Sequence, residues 1–360
     1  MVVVRAPSSS AQLSRDVCVL LGCPKKKKKR RDRAKGLVAM NAHTTRVCHG
    51  LEEIFDGDGG GKTMMDHDMK RKKKKAVLLD QFGVLHDGVD AYPGAVEAVR
   101  YLREDCGLRI LILSNSSRRS DGALKNLEKK GFDIGCFDGV VTSGEVTHQR
   151  LKERPDGFWK SRKACVHFTW GERGAISLDD LGVDVVGRRM EEADFLLAHG
   201  TQGIGKPGGV GVEECSVDDM VGMLDECIHV DGSSKPMVVA NPDIVTVHGG
   251  DLIKMPGYIA KEYEERGGEV CRMGKPARVI YEEALRMLGV GVEEVIAIGD
   301  SLEHDIKGAE SMGIDSIFVG GGIHKDSVMT QGDRIDEDSL DRICHEYSSA
   351  PTFVIPYFCM

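Results

Sequence analysis

Three short, mostly apolar runs along the chain each end in polar side chains. The runs and the residues that end them are 76–79 with Asp80, 108–113 with Ser114, and 295–298 with Gly299 and Asp300. A short apolar run bounded by polar and turn residues predicts a strand that is buried on both faces. Apolar residues at helical spacing follow each run. We therefore predict a parallel, doubly wound α/β sheet with these polar groups at its C-terminal edge, where ligands bind in open sheets.

The stretch from residue 163 to residue 270 separates the second run from the third and has an apolar periodicity of its own. Its apolar segments are residues 164–168, 193–198, 220–227 and 236–240. A structureless loop of this length is uncommon in a compact fold, so the stretch predicts an inserted α/β domain. The core would then consist of residues 76–162 and 271–345, followed by a tail at 346–360.

Residues 1–75 differ in composition from the rest of the chain. They contain two basic runs, at 25–31 and 70–75. Blocks of like charge are typical of solvated, disordered segments, so we predict a basic and mostly disordered N-terminal extension. A nuclear-import patch at 24–31 and an organelle transit peptide at 1–15 are left as alternative interpretations of this extension.

Overall composition narrows the classes of partner and compartment. The formal net charge of −8 gives no case for a nucleic-acid partner. No apolar run approaches the roughly 18 residues that a membrane span requires, so we expect no membrane partner. The eleven cysteines are scattered and include no Cys-x-x-Cys pair, which favours reduced thiols in a cytosol-like compartment. We therefore predict a cytoplasmic protein.

Four short motifs occur in a fixed order along the chain. They are Asp80-Gln-Phe82-Gly-Val-Leu85, Ser114-Asn115-Ser116, Gly274-Lys275-Pro276 and Gly299-Asp300-Ser301-Leu-Glu-His-Asp305. In these motifs the chain resembles the haloacid dehalogenase-like (HAD) hydrolases, class IIA, the 4-nitrophenylphosphatase-like branch, over roughly residues 76–325. The resemblance implies a Rossmann-like core with a C2 cap domain at 163–270 and a small phosphorylated metabolite as substrate. It leaves open a homo-oligomer formed through the cap.

The same resemblance assigns roles to the motif residues. Asp80 would be the nucleophile that forms an aspartyl-phosphate intermediate. The carboxylates of Asp80, Asp300 and Asp305, together with the backbone carbonyl of Phe82, would bind Mg²⁺, which prefers hard oxygen ligands. A divalent ion of this kind offsets the repulsion between a carboxylate nucleophile and an anionic phosphate.

Further motif residues would bind the substrate. Ser114, Asn115 and Lys275 would hold the phosphate oxygens, and Lys275 would also orient the nucleophile. The cap segment around Asn241 and Asp243 matches a class IIA pattern and would have a substrate or hinge role. Asn-Pro-Asp is also ordinary turn chemistry, so the simpler interpretation stays beside the functional one.

One position departs from the family pattern. HAD phosphatases usually carry a second aspartate where this chain has Phe82, and that aspartate protonates the leaving oxygen and later activates water. General acid-base assistance is typically worth about 100- to 10,000-fold in rate. His86, Asp87 or a metal-bound water would have to replace it, or the substrate would need a good leaving group, such as an acyl phosphate.

Two functions are consistent with the sequence. The first is a Mg²⁺-dependent phosphatase of a small phosphorylated metabolite. The second is a catalytically weak HAD-like protein that binds phosphorylated metabolites or regulates through them. A dehalogenase, which also lacks the second aspartate, needs no cation, so Asp300 and Asp305 argue against that chemistry.

Overall fold

The computed structural model describes residues 45–56, 73–171, 177–228, 233–248 and 251–360. The proposed targeting segments at 1–15 and 24–31 lie outside these ranges. Among the described helices, none combines the length and apolar character that a membrane crossing needs.

The described part of the chain contains sixteen strands. They are β1 (Arg46–Val47), β2 (Ala76–Leu79), β3 (Arg109–Ser114), β4 (Gly139–Thr142), β5 (Ala164–Thr169), β6 (Asp184–Val185), β7 (Phe195–Ala198), β8 (Gly203–Gly205), β9 (Val212–Glu214), β10 (Met237–Val239), β11 (Val245–His248), β12 (Asp251–Lys254), β13 (Val270–Arg272), β14 (Val295–Gly299), β15 (Asp315–Val319) and β16 (Phe353–Ile355).

Eleven α-helices lie within the same described ranges. They are α1 (Leu51–Phe55), α2 (Ala95–Glu104), α3 (Asp121–Lys129), α4 (Ser143–Glu153), α5 (Gly157–Lys160), α6 (Val217–Gly222), α7 (Pro256–Glu265), α8 (Arg278–Leu288), α9 (Lys307–Met312), α10 (Lys325–Val328) and α11 (Glu337–Tyr347). A π-helical turn at Leu302–Ile306 precedes α9, and short 3₁₀ segments occur at Ile134–Cys136, Met190–Glu192, Pro207–Gly209, Leu224–Cys227 and Val292–Glu294.

The core is a seven-stranded sheet in the order β1-β16-β15-β14-β2-β3-β4, with all neighbours parallel. Alternate residues of β2 enter two different apolar clusters: Val77 packs with α2 on one face and Leu78 packs with α8 on the other. Both faces of the sheet are therefore covered by helices, which is why its strands are continuous apolar runs. The predicted doubly wound parallel sheet is confirmed.

The inserted domain forms a second sheet in the order β13-β10-β7-β5-β8-β9, with β6 beside β5. Most of its pairs are parallel, but β8 is antiparallel to both of its neighbours. Its own buried cluster includes Phe168, Leu196 and Tyr263. The predicted inserted α/β domain is present, although β13 carries its sheet to Arg272, two residues beyond the predicted boundary at 270.

The two ends of the chain differ from the sequence prediction. In the predicted tail, β16 pairs with β15 inside the core sheet, and Phe353 and Val354 are fully buried. In the extension that was predicted to be mostly disordered, β1 pairs with β16, and Leu51 of α1 is fully buried. These short segments are stabilised by pairing with distant parts of the chain, and such pairing leaves little local periodicity in the sequence.

Candidate active site

The candidate site lies at the C-terminal ends of β2, β3 and β14. The backbone N–H of Asp80 still donates to Ile298 O (3.0 Å), so the sheet ladder fixes the main chain up to the carboxylate. Ser114 is the last residue of β3, and Asp300 directly follows β14. Neighbouring parallel strands thus deliver their terminal polar residues to one place, as the sequence pattern predicted.

Three carboxylates gather at this edge. Asp80, Asp300 and Asp305 each offer an oxygen, and these oxygens all lie within 4.8 Å of one another. Asp300 and Asp305 are about 95% buried. Burying several like charges together is costly unless a cation compensates them, and hard carboxylate oxygens suit Mg²⁺. The donor set therefore fits a divalent cation.

The pKa values of two of these acids are raised because the carboxylates are buried close together. Burial raises the pKa of Asp80 to about 7, although the nearby Lys275 ammonium acts in the opposite direction. Burial, together with the charges of Asp80 and Asp305, raises the pKa of Asp300 well above its ordinary value. A bound divalent cation would favour the ionised forms of both groups.

Glycines hold the backbone close to these acids. A Cβ added at Gly83, where φ is +83°, would overlap the Asp300 carboxylate, and one added at Gly322 would overlap it from another side. Gly299 approaches Asp305 in the same way. The backbone N–H of Ile323 donates to Asp300 Oδ2 (2.8 Å), which fixes the orientation of that carboxylate.

Lys275 joins two of the acids. Its Nζ lies 2.7 Å from an oxygen of Asp80 and 2.7 Å from an oxygen of Asp305, and the side chain is only 3% exposed. Burial alone would lower the pKa of this ammonium, but the two carboxylates raise it above its ordinary value. Lys275 therefore remains charged at neutral pH, bridges Asp80 and Asp305, and lines the cavity beside them.

Asn115 connects the core to the cap segment. Its Oδ1 accepts from the backbone N–H of Lys275 (2.7 Å), while its Nδ2 donates to Asp243 Oδ1 (2.8 Å) and to Lys275 O (3.2 Å). Both amide hydrogens are thus committed within the protein. The side chain therefore positions Lys275 and Asp243, and neither of its amide hydrogens is left for the predicted phosphate contact.

The cap segment contributes one cavity residue and one turn residue. Asp243 lines the cavity, and its Oδ1 lies 3.6 Å from His304 Nδ1. Asn241 is almost fully buried, and its Oδ1 accepts from the backbone N–H of Asp243 (3.0 Å). Asn241 therefore shapes the turn that presents Asp243.

The flap after Asp80 places Phe82 at the cavity and His86 and Asp87 outside it. The Phe82 ring lies edge-on to His86, with ring centres 5.8 Å apart. His86 Nδ1 accepts from the backbone N–H of Gly88 (3.0 Å), and Asp87 caps the same turn by accepting from two backbone N–H groups. Of these described flap residues, Phe82 lines the cavity, whereas His86 and Asp87 do not.

His86 is also a poor acid at neutral pH. Burial, and then the charge of Lys130, lowers the pKa of its imidazole to about 4, so the ring is neutral. Its position and its protonation state both argue against a direct role for His86 in proton transfer to a substrate.

The cavity has a volume of about 230 Å³. Its floor carries the acids and Lys275, with Ser114 at the end of β3. The cavity is also lined by residues that the sequence analysis did not single out. They include His304, Ile323 and Tyr347 from the core, and Leu252 from the β11–β12 hairpin. The glycine run that precedes Ile323 directly follows β15 and was a usable signal, because parallel strands end at the same edge.

Profiles of haloacid dehalogenase-like hydrolases match most of the chain in three pieces. Two profiles described as haloacid dehalogenase-like hydrolase match residues 77–184 and 190–313, and one described as HAD-hydrolase-like matches 272–356. Together they span both parts of the core sheet and much of the inserted domain.

Individual proteins show the same likeness. The chain is 25% identical over 289 residues to the 5'-nucleotidase YutF of Bacillus subtilis, which covers 79% of this chain and 99% of that protein. It is 23% identical over 253 residues to an acid sugar phosphatase of Staphylococcus aureus, covering 70% and 88% of the two chains. The structure of a p-nitrophenyl phosphatase from Archaeoglobus fulgidus matches with a TM-score of 0.57 at 26% identity, over 79% and 96%.

Proposed function

The chain belongs to the haloacid dehalogenase-like hydrolases, and from that membership we propose that it is a Mg²⁺-dependent phosphatase of small phosphorylated metabolites. The observation that carries the proposal is the convergence of Asp80, Asp300 and Asp305 on one point, with Lys275 bridging two of them. This arrangement combines a nucleophile, a cation site and a fixed positive charge, which phosphoryl transfer requires.

Asp80 acts as the nucleophile. One of its oxygens attacks phosphorus as the bond from phosphorus to the leaving oxygen breaks. The leaving oxygen keeps the bonding electron pair and takes a proton from solvent, which gives an aspartyl-phosphate and a free alcohol. Water then cleaves the aspartyl-phosphate and releases inorganic phosphate. Lys275 keeps Asp80 oriented and offsets negative charge on the phosphate, while the Ser114 hydroxyl and the adjacent backbone amides hold phosphate oxygens.

The three carboxylates and the backbone carbonyl of Phe82 would hold the Mg²⁺ ion. When bound, the ion reduces the repulsion between the carboxylate and the phosphate. The overlap that a side chain at Gly83 or Gly322 would produce shows how closely the backbone must approach to keep Asp300 in this set.

The substrate class is supported by the cavity and by the relatives. The cavity, about 230 Å³ in volume, is shared between the core and the β11–β12 hairpin, a shape suited to a small ester. YutF and the staphylococcal enzyme are named for nucleotides and sugar phosphates respectively, both small phosphorylated compounds. The net charge of −8 gives no case for a nucleic-acid substrate.

A phosphate-release assay tests this function. The purified chain is incubated with a panel of metabolite and synthetic phosphate monoesters, with and without Mg²⁺. We expect phosphate release that requires Mg²⁺ and falls by more than about 1,000-fold in Asp80→Asn, because that amide cannot form the covalent intermediate. Asp105→Asn, an exposed change at the end of α2, serves as the matched control and should retain full activity.

A second function remains in view because of Phe82. A protein without an acid at this position could bind phosphorylated metabolites and turn them over poorly. In that case calorimetry with the same panel would show Mg²⁺-dependent ligand binding without phosphate release. The native protein and Asp80→Asn would then give the same background rate of phosphate release.

A further inference from the structure

The flap, residues 82–91, is a small hairpin with a buried base and an exposed tip. Val84 and Leu85 at the base belong to the apolar cluster of the core, whereas residues 87–90 at the tip are exposed. The turn at the tip is closed by Asp87, whose Oδ1 accepts from two backbone N–H groups of the same turn. Such local bonds fix the shape of the turn, but they do not fix its position relative to the core.

Lys130, which directly follows α3, ties the flap tip to the core. Its Nζ donates to Gly88 O (2.8 Å) and to Val89 O (2.5 Å). Leu127 and Phe132, on either side of this lysine, are buried in the apolar cluster of the core, so its backbone is held in place. An ammonium group that donates to carbonyl oxygens forms charge-assisted hydrogen bonds, which are stronger than bonds between neutral groups.

The flap tip is in turn packed against the first residues of the flap. A Cβ added at Gly88 would lie 2.9 Å from the Phe82 ring, so the backbone of the tip approaches this ring closely. The backbone N–H of Gly83 donates to His86 O (3.0 Å). A Cβ added at Gly83 would overlap the Asp300 carboxylate. The position of the tip is therefore linked to the segment of the flap that lies against the acids.

This segment belongs to the proposed metal site. The backbone carbonyl of Phe82 would be a ligand of Mg²⁺, and the close approach of Gly83 limits where the Asp300 carboxylate can lie. Mg²⁺ requires near-ideal octahedral geometry, so a small displacement of one ligand weakens its binding. A shift of the flap would therefore lower the affinity for Mg²⁺ without unfolding the core.

We propose that Lys130 is a positioning residue of the active site: by holding the flap tip, it keeps the Phe82 carbonyl in place as a ligand of Mg²⁺. The inference rests on the proposed phosphatase function and specifies how its metal site is held. Lys130 is not among the described residues that line the cavity. It therefore acts through the flap and takes no direct part in the chemistry.

Hydrogen exchange of the metal-free protein tests the contact itself. Lys130→Met keeps an apolar side chain of similar length but removes the ammonium group. We expect the amides of residues 83–92 to exchange at least about 5-fold faster in this variant, because the flap opens more easily, while the amides of β2 and β3 keep their native exchange. Lys129→Met makes the same chemical change at the exposed neighbouring position and should leave both regions unchanged.

Two results of this experiment would overturn the inference. Native exchange of the flap amides in Lys130→Met would show that the lysine does not hold the tip. Faster exchange throughout β2 and β3 as well would show that it stabilises the core in general and has no particular effect on the flap.

Calorimetry with Mg²⁺ measures the consequence for the metal site. We expect Lys130→Met to bind Mg²⁺ at least about 5-fold more weakly than the native protein, since one ligand is no longer held in place. Lys130→Arg retains a charged donor for the same carbonyls and should keep the native affinity to within about 2-fold. Native Mg²⁺ affinity in Lys130→Met would contradict the link between the flap tip and the metal site.

Phosphate release adds a kinetic signature. At limiting Mg²⁺ we expect Lys130→Met to lose about 10-fold in kcat/KM, and saturating Mg²⁺ should restore most of it, because excess cation compensates for weaker binding. A loss that saturating Mg²⁺ leaves unchanged would contradict action through the metal site. Failure of the proposed function would look different: the native protein would release no phosphate, while hydrogen exchange and calorimetry would still report on Lys130.

Discussion

Each residue at the site is defined more by its contacts than by its type. Asp80, Asp300 and Asp305 could each be an ordinary acid at a strand or helix end. Their shared burial and the bridge from Lys275 distinguish them, because buried carboxylates without compensation are costly. A cation that fits these oxygens should therefore stabilise the fold as well as support catalysis.

The crowded acids predict an unusual dependence of stability on pH. Burial raises the pKa of Asp80 to about 7, above its value of about 3.9 in an unfolded chain. The folded state therefore binds the proton more tightly, and the stabilisation is fully present below about pH 4. It is lost as pH rises towards 7, at up to about 1.4 kcal/mol per pH unit.

We expect the melting temperature of metal-free protein to fall between pH 5 and pH 7 because of this group, and Mg²⁺ to reverse much of the fall. Comparison with Asp80→Asn measures the contribution of Asp80 together with its effect on Asp300, since the amide does not titrate and no longer raises the pKa of Asp300. Identical pH profiles for the native protein and Asp80→Asn would contradict the expected destabilisation by the crowded acids.

At the scale of elements, the site depends on backbone segments that approach the acids from several strands. The loop after β15 is one of them. Gly322 lies against the Asp300 carboxylate, and the next residue donates its backbone N–H to the same group. This loop thus positions a metal-binding acid without contributing a ligand side chain of its own.

Gly322→Ala should disturb that positioning. The new Cβ would overlap Asp300, which would have to move away from Asp80 and Asp305. We expect weaker Mg²⁺ binding by calorimetry and a loss of about 10-fold or more in kcat/KM, since small displacements of catalytic groups are costly.

Gly222→Ala in α6 is the matched control for this substitution. A Cβ at Gly222 meets no atom within 4 Å, and alanine favours a helix over glycine. That variant should keep native Mg²⁺ affinity and be at least as stable. Native Mg²⁺ affinity in Gly322→Ala as well would mean that the loop does not hold Asp300 in place.

For the whole molecule, the sequence predicted those elements that a short local pattern of apolar and polar residues marks. Apolar runs ending in polar residues located β2, β3 and β14, and parallel order then brought Asp80, Ser114 and Asp300 together. The rest of the cavity lining could not be predicted in this way. Leu252 and Ile323 reach the cavity only after the cap hairpin and the loop after β15 have folded over it, and no spacing in the sequence records those contacts.

The C-terminal segment is another part of the fold that local sequence patterns did not predict, and it leads to a final prediction. Residues 346–360 look like a tail, yet Val354 of β16 pairs with both β1 and β15 and is fully buried. Val354→Ala removes about two methylene equivalents, each worth about 0.8 kcal/mol, and leaves a cavity, so the free energy of unfolding of the core should fall by about 2 kcal/mol.

Val210→Ala makes the same chemical change at a site that is 80% exposed in the inserted domain, and should alter stability by less than about 0.5 kcal/mol. Urea unfolding of both variants, followed with Mg²⁺ absent, would measure the difference. Because β16 is the parallel neighbour of β15, its loosening should also increase hydrogen exchange of the β15 amides. Equal stabilities of the two variants would mean that the last strand contributes little to the core sheet, despite its complete burial.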